Sequence, residues 1–152
     1  MVETRVANKN DIDEVARLMS FIRMKEITTS DIEVLFNELV SSTYSDVMLV
    51  LKDGTPAGVA TLNGTLKLNR IECRLDDVIV DPELQGNGLG NALIEACSQW
   101  AWNKKCYKVE FTSRAERKNA HGFYAHLGYK ERKSYIFTKF SPETDYVKTK
   151  VI

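Results

Sequence analysis

The chain has 152 residues, 43% hydrophobic and 28% charged, with 8 Gly and 3 Pro, values that suit one globular domain and exclude collagenous, low-complexity and disordered classes. Its 21 Lys and Arg balance 21 Asp and Glu, so the basic excess with which nucleic-acid binders neutralise phosphate is missing, and no nucleic-acid partner is expected. The longest apolar run, Val47 to Leu51, falls far short of the roughly 20 residues of a membrane span, and the opening MVETRVANKNDID has no export signal, so no membrane partner is expected.

In chain order, a short strand is predicted at Thr4 to Ala7. From Asn10, Ile12, Val15, Ala16 and Met19 follow helical spacing behind Asp11, Asp13 and Glu14, which suit a helix N-terminus. A second helix opens on a capping box of Ser30 with Glu33 and carries Ile32, Leu35, Phe36, Leu39 and Val40 as an apolar stripe. After Tyr44 the period shortens to two. Two strands flank Asp53-Gly54, a dipeptide suited to a tight turn, and Asn63-Gly64 reads as the next turn. A long strand then runs from about Leu68 to Val80. Strict alternation puts Ile71, Cys73, Leu75, Asp77 and Ile79 on one face and Glu72, Arg74, Asp76, Val78 and Val80 on the other.

Pro82 cannot donate to a ladder and ends that strand. A third helix begins near Gly88 with the stripe Leu89, Ala92, Leu93, Ala96, Cys97 and Trp100. CYKVEFTS reads as a strand, AHGFYAHLG as a short helix closed by Gly128, and YKERKSYIFTKF as a last strand, broken or bulged in the middle. Residues 141–152 form a C-terminal tail or edge strand. The order β-α-α-β-β-β-α-β-α-β predicts an α/β fold whose mixed central sheet has helices on both faces.

Cys73, Cys97 and Cys106 give an odd count without CxxC spacing, which argues for buried free thiols in a reducing cytoplasm. His121 and His126 are five apart, about 140° around a helix, so they cannot share a metal from one face. No metal is expected.

The chemistry is most legible in Gln85-Gly86-Asn87-Gly88-Leu89-Gly90, set between a strand and a helix. Three glycines in five residues let successive N–H groups turn inward, and the helix N-terminus adds partial positive charge; the combination binds anions, phosphates above all. The Gly-Lys-Ser/Thr of a P-loop does not occur. A Rossmann fingerprint would need Gly where Asn91 stands, although Glu110 falls where a ribose-binding acid would lie.

Gln85-x-x-Gly88-x-Gly90 resembles the Gln/Arg-x-x-Gly-x-Gly/Ala motif of the GNAT superfamily of N-acetyltransferases. Arg117-x-x-Ala120-His121-x-Phe123-Tyr124-x-x-Leu127-Gly128-Tyr129 resembles a second motif of that family, A-x-x-F-Y-x-x-x-G-F/Y. With the element order, the resemblance covers roughly residues 2 to 140. It implies a single GNAT domain over 1–152 and acetyl-CoA as donor. In such proteins the backbone of Val78, Ile79 and Val80 pairs with the pantetheine arm, and the amides of Gln85, Gly86, Asn87, Gly88, Leu89, Gly90 and Asn91 hold the pyrophosphate. Arg117, Asn119 and Phe123 fall beside the same cofactor motif. Many members carry Lys or Arg where Asn87 stands, and Asn where Arg117 stands.

Acetyl transfer from a thioester needs a neutral amine, a donor for the thioester oxygen and a proton for the departing sulfur. The resemblance sets Tyr124 beside the sulfur as that proton donor. Glu72 and Asp77, with Asp76 on the same long strand and Glu110 on the strand after the glycine helix, are the carboxylates available as base, directly or through water. None of the cysteines has a His-paired nucleophile pattern, so the amine is expected to attack directly. The acceptor side falls to Met19–Thr43 and Gly64–Asn69, for a small-molecule or peptide amine. The family is compatible with a homodimer. The alternative is a non-catalytic CoA-binding module.

Overall fold

The computed structural model describes residues 1–112 and 118–143, which fall into two compact units divided at Thr112 and Ser113. The first unit contains strand β1 (Val2–Val6), helices α1 (Ile12–Arg23) and α2 (Thr29–Ser41), strands β2 (Ser45–Lys52), β3 (Thr55–Leu66) and β4 (Ile71–Val80), helix α3 (Leu89–Asn103) and strand β5 (Val109–Glu110). The five strands lie side by side in sequence order. Neighbours are antiparallel up to β4, and β4 pairs with β5 in parallel. The expected mixed sheet is therefore present.

Every residue from Val47 to Leu51 is buried, which an alternating strand achieves only when both faces are covered. On one face Val47, Leu49 and Val59 pack with Val15 and Leu18 of α1 and Phe36 of α2. On the other, α3 packs across β1 to β4 and buries Leu93, Ile94, Cys97 and Ala101. Its Trp100 Nε1–H donates to Asp46 Oδ2 of β2 at 3.3 Å. The Asp53-Gly54 turn forms as read, with positive φ at both residues.

Several boundaries differ from the sequence reading. The box that starts α2 is Thr28 with Asp31, not Ser30 with Glu33: the Asp31 carboxylate accepts from the Thr28 N–H at 2.8 Å. Asp at the third helical position closes the box as Glu would, and Thr28 reaches it first. Leu35 does not join the core and is 70% exposed.

Asn63-Gly64 is not a turn. Strand β3 runs through it to Leu66, and the chain reverses at Lys67–Arg70, where the Lys67 N–H donates to Arg70 O at 2.8 Å. Gly64 serves close approach instead: its N–H donates to Tyr44 O at 2.6 Å, and a Cβ there would lie 2.5 Å from that oxygen.

The second unit holds α4 (Lys118–His126). Gly128 (φ +89°) ends it as expected, the Gly128 N–H donating to Ala125 O and the Tyr129 N–H to Tyr124 O. The last strand expected over YKERKSYIFTKF is absent; residues 129–140 have no regular structure. Tyr135, Ile136 and Phe137 are consecutive and exposed, a run without the period of two that a half-buried strand needs. Of the 141–152 tail, residues 144–152 lie outside the described residues.

Candidate active site

The sheet face under α2 owes its chemistry to an irregularity in β4. Thr61 opposes Asp76 and Val59 opposes Ile79, so Asp77 and Val78 together stand against the single residue Ala60. Asp77 has φ +51°. This is a β-bulge, and beyond it the alternation changes phase. Asp77 and Ile79 therefore do not share the face of Cys73 and Leu75, as strict alternation had them. Ile79 packs on the α1–α2 core, and the consecutive residues Asp76 and Asp77 open into one cavity.

That cavity has a volume of about 540 Å³. Leu35 and Glu38 of α2, with Ser42 just after it, form one wall, and Thr61, Asp76 and Asp77 of the sheet form the other. Thr61 Oγ1 donates to Asp77 Oδ2 at 3.0 Å, so the buried hydroxyl is satisfied. Asp76 accepts from Asn63 Nδ2 at 3.1 Å and from Arg74 Nε at 3.2 Å. Glu38 is exposed and has no hydrogen-bond or ion-pair partner among the described residues. The α2 part of the expected acceptor segment lines this cavity; the turn at Lys67–Arg70 does not.

Glu72, the other carboxylate expected to act as base, is placed elsewhere. It lies within 2.8 Å of Arg70 Nη2, 3.8 Å of Lys108 Nζ and 4.0 Å of Lys67 Nζ. Burial pushes its pKa upward, but the Arg70 hydrogen bond and the surrounding cations outweigh that and hold it below the usual value. Arg70 also stacks on the Tyr107 ring at 4.4 Å. Glu72 thus neutralises a cationic cluster, whereas Asp77 faces the cavity.

The glycine loop follows β4. Asp81 Oδ1 accepts from the Glu83 N–H at 3.1 Å in the one-turn 3-10 helix Pro82–Leu84. Its Oδ2 accepts from Arg17 Nη1 of α1 at 2.8 Å. The Arg17 hydrogen bond, helped by the Glu83 N–H, holds the Asp81 carboxyl below the usual carboxylate range. Beyond this anchor Gly86 and Gly88 take φ of +87° and +75°, and a Cβ on either would meet no atom of the described residues within 4 Å. Helix α3 starts from Gly88 with no side-chain cap.

The polar bonds of the loop are Gln85 Nε2 to Val80 O, Asn87 Nδ2 to Leu84 O and the Ala92 N–H to Gly88 O. Among the described residues none uses the N–H of Gly86, Gly88, Leu89, Gly90 or Asn91. Such first-turn donors require an external acceptor, water or an anion. Beside them, β5 pairs with β4 only at Cys73 and Arg74, so Val78, Ile79 and Val80 have no strand on that edge among the described residues. An extended amide chain fits such an edge, and a diphosphate suits the loop.

In the second unit Phe123 and Tyr124 both lie in α4, with ring centroids 5.6 Å apart in an edge-on arrangement. Asn119 falls within α4, and Arg117 lies outside the described residues. Cys73, Cys97 and Cys106 are buried free thiols, as expected; burial pushes the first two up to about 12. Among the described residues no helix is long and apolar enough to cross a membrane. Sequence reasoning missed Thr61 and Asn63 as cavity residues and did not single out Glu38 within the expected acceptor segment. No local pattern marks them, because the bulge that completes the cavity is a tertiary feature.

The sequence model of the Acetyltransferase (GNAT) family matches residues 12–129. Glucosamine 6-phosphate N-acetyltransferase 1 of Oryza sativa subsp. japonica is 27% identical over 112 residues, 70% of this chain and 66% of that protein. The chain thus spans about two thirds of the length of the curated relative it matches. The fold is similar to that of glucosamine-6-phosphate N-acetyltransferase from Arabidopsis thaliana, with TM-score 0.76, 19% identity, and coverage of 93% of this chain and 99% of that one. It is similar also to the aminoglycoside N-acetyltransferase AAC(6')-Iy in complex with CoA, with TM-score 0.80, 19% identity, and coverage of 92% and 95%.

Proposed function

The chain belongs to the Acetyltransferase (GNAT) family, and from that premise we propose that it moves the acetyl group of acetyl-CoA to the primary amine of a small molecule by direct attack. The observation that carries this reading is the junction after β4. Left-handed Gly86 and Gly88 open an uncapped helix beside a strand edge that β5 leaves unpaired. The amides of Gly86 to Asn91 would hold the diphosphate, and the backbone of Val78 to Val80 the pantetheine arm. Asn87 adds no charge, so backbone donors and the helix terminus carry the phosphate contact.

Bound acetyl-CoA supplies an acetyl thioester. The cavity between α2 and the sheet takes the acceptor, and its volume of about 540 Å³ suits a small ligand. Asp77 directly precedes the strand edge assigned to the pantetheine, and it receives the ammonium proton, directly or through a water. An unperturbed alkylamine has a pKa of about 10.4, so this deprotonation must precede attack. The amine nitrogen then forms a bond to the thioester carbonyl carbon and the carbon–sulfur bond breaks. The sulfur leaves as thiolate and takes its proton from Tyr124, the residue that matches the family's motif, and the tyrosinate is restored by the second proton that the amine nitrogen sheds as the amide forms. The products are an acetylamide, free CoA and one proton.

A screen of amines for thiol release from acetyl-CoA tests the reading. Turnover with at least one small amine is expected, and Asp77→Asn should lower kcat by about a hundredfold. Binding of acetyl-CoA without turnover of any amine would favour a non-catalytic CoA-binding module instead.

A further inference from the structure

Resting on the cavity between α2 and the sheet as the acceptor site, we propose that the acceptor is a multiply cationic amine and not a phosphorylated amino sugar. Among the described residues the walls carry three carboxylates, Glu38, Asp76 and Asp77, and no Lys or Arg. They are not equivalent. Arg74 and Asn63 bond Asp76, so its charge is offset within the protein. Among the described residues Asp77 receives only the neutral Thr61 hydroxyl. Glu38 stands on the opposite wall, exposed and without an ion-pair or hydrogen-bond partner among the described residues.

Two uncompensated carboxylates therefore face one cavity from different elements. One acceptor nitrogen meets Asp77 and is deprotonated and acetylated there. A second ammonium on the same molecule stays charged and pairs with Glu38, which fixes orientation as well as affinity. A phosphate in this space would meet both acids with no cation among the described wall residues to offset it, a like-charge contact. The charge of the walls thus discriminates between two kinds of amino sugar, one carrying several ammonium groups and one carrying a phosphate.

The test uses the full chain. Thiol release from acetyl-CoA is measured with spermidine, neamine, glucosamine and glucosamine 6-phosphate, and acetyl-CoA binding is measured calorimetrically on the same preparation. The better of the two polyamines should exceed glucosamine 6-phosphate in kcat/KM by about a hundredfold, the sum of a gained and an avoided charge contact. Glu38→Gln should cut the polyamine-to-glucosamine ratio about tenfold, through KM. Glu38→Lys should raise glucosamine 6-phosphate relative to the polyamine. Glu38 is exposed, so both variants should fold, and their melting temperatures check this. A preference for glucosamine 6-phosphate overturns the proposal, as do ratios that neither variant moves, and both leave acetyl transfer standing. Failure to bind acetyl-CoA overturns both.

Discussion

Tyr124 and Asp77 divide the proton traffic proposed for the reaction, and each is testable by a change of one atom or group. Tyr124→Phe removes only the phenolic oxygen, so kcat should fall by about a hundredfold while the Kd for acetyl-CoA stays within a factor of two, by the usual size of general-acid effects. Steady-state rates across pH, with calorimetry of the cofactor, make the comparison; wild-type rates throughout would remove the tyrosine from the mechanism. Tyr124 was legible because the motif containing it is local. The role proposed for Asp77 was legible only by residue type. Strict alternation gave it to the wrong face, because a positive φ at a non-glycine residue has no sequence signature. Glu72, one of the two acids chosen for that role, has a simpler use in neutralising Arg70, Lys67 and Lys108.

Between elements, the contact that most directly supports the glycine loop joins α1 to the residue after β4. Arg17 reaches Asp81, Glu14 and Pro56 O at once, tying the helix to the start of β3 and to the residue after β4, which are neighbours at one end of the sheet. The folded-state pKa of Asp81 is lowered by this pairing. Its stabilisation is therefore present above the unfolded value of about 3.9 and is lost as pH falls through the lower folded value. Asp81→Asn should be less stable at neutral pH by about 1 kcal/mol, a screened value because the Arg17 side chain is 39% exposed. Thermal unfolding at a series of pH values should show that deficit shrinking toward pH of about 3; parallel curves would show that the pair is inert. The elements themselves were readable where period and turn chemistry agreed, as in α1, β2 and α3. They were misread where one residue type serves two purposes. Gly64 marks a close backbone approach rather than a turn, and Tyr135-Ile136-Phe137 is apolar without being a strand.

At the scale of the molecule, the sheet with both faces covered was legible from element order alone, since three antiparallel strands followed by a βαβ unit allow few other arrangements. The cavity was not, because its walls come from residues 35 to 77 and depend on where α2 crosses the sheet. Direct transfer has a global readout. Burial raises the thiol pKa of Cys73 and Cys97 to about 12, which leaves them protonated at neutral pH and poor nucleophiles. Incubation with acetyl-CoA alone should leave the intact mass of the protein unchanged, and a stable acetyl adduct on a cysteine would argue for a covalent route.

The account as a whole depends on the amides that follow β4 and on the space above Gly88, where a Cβ would meet no atom of the described residues within 4 Å. The most direct measurement is a calorimetric titration of acetyl-CoA into the wild-type chain and into Gly88→Val. One saturable site should appear in the wild type and weaken by at least about a hundredfold in the variant, since the branched side chain both occupies the diphosphate's space and strains a left-handed backbone. No binding by the wild type, or equal affinity in the two, would contradict it.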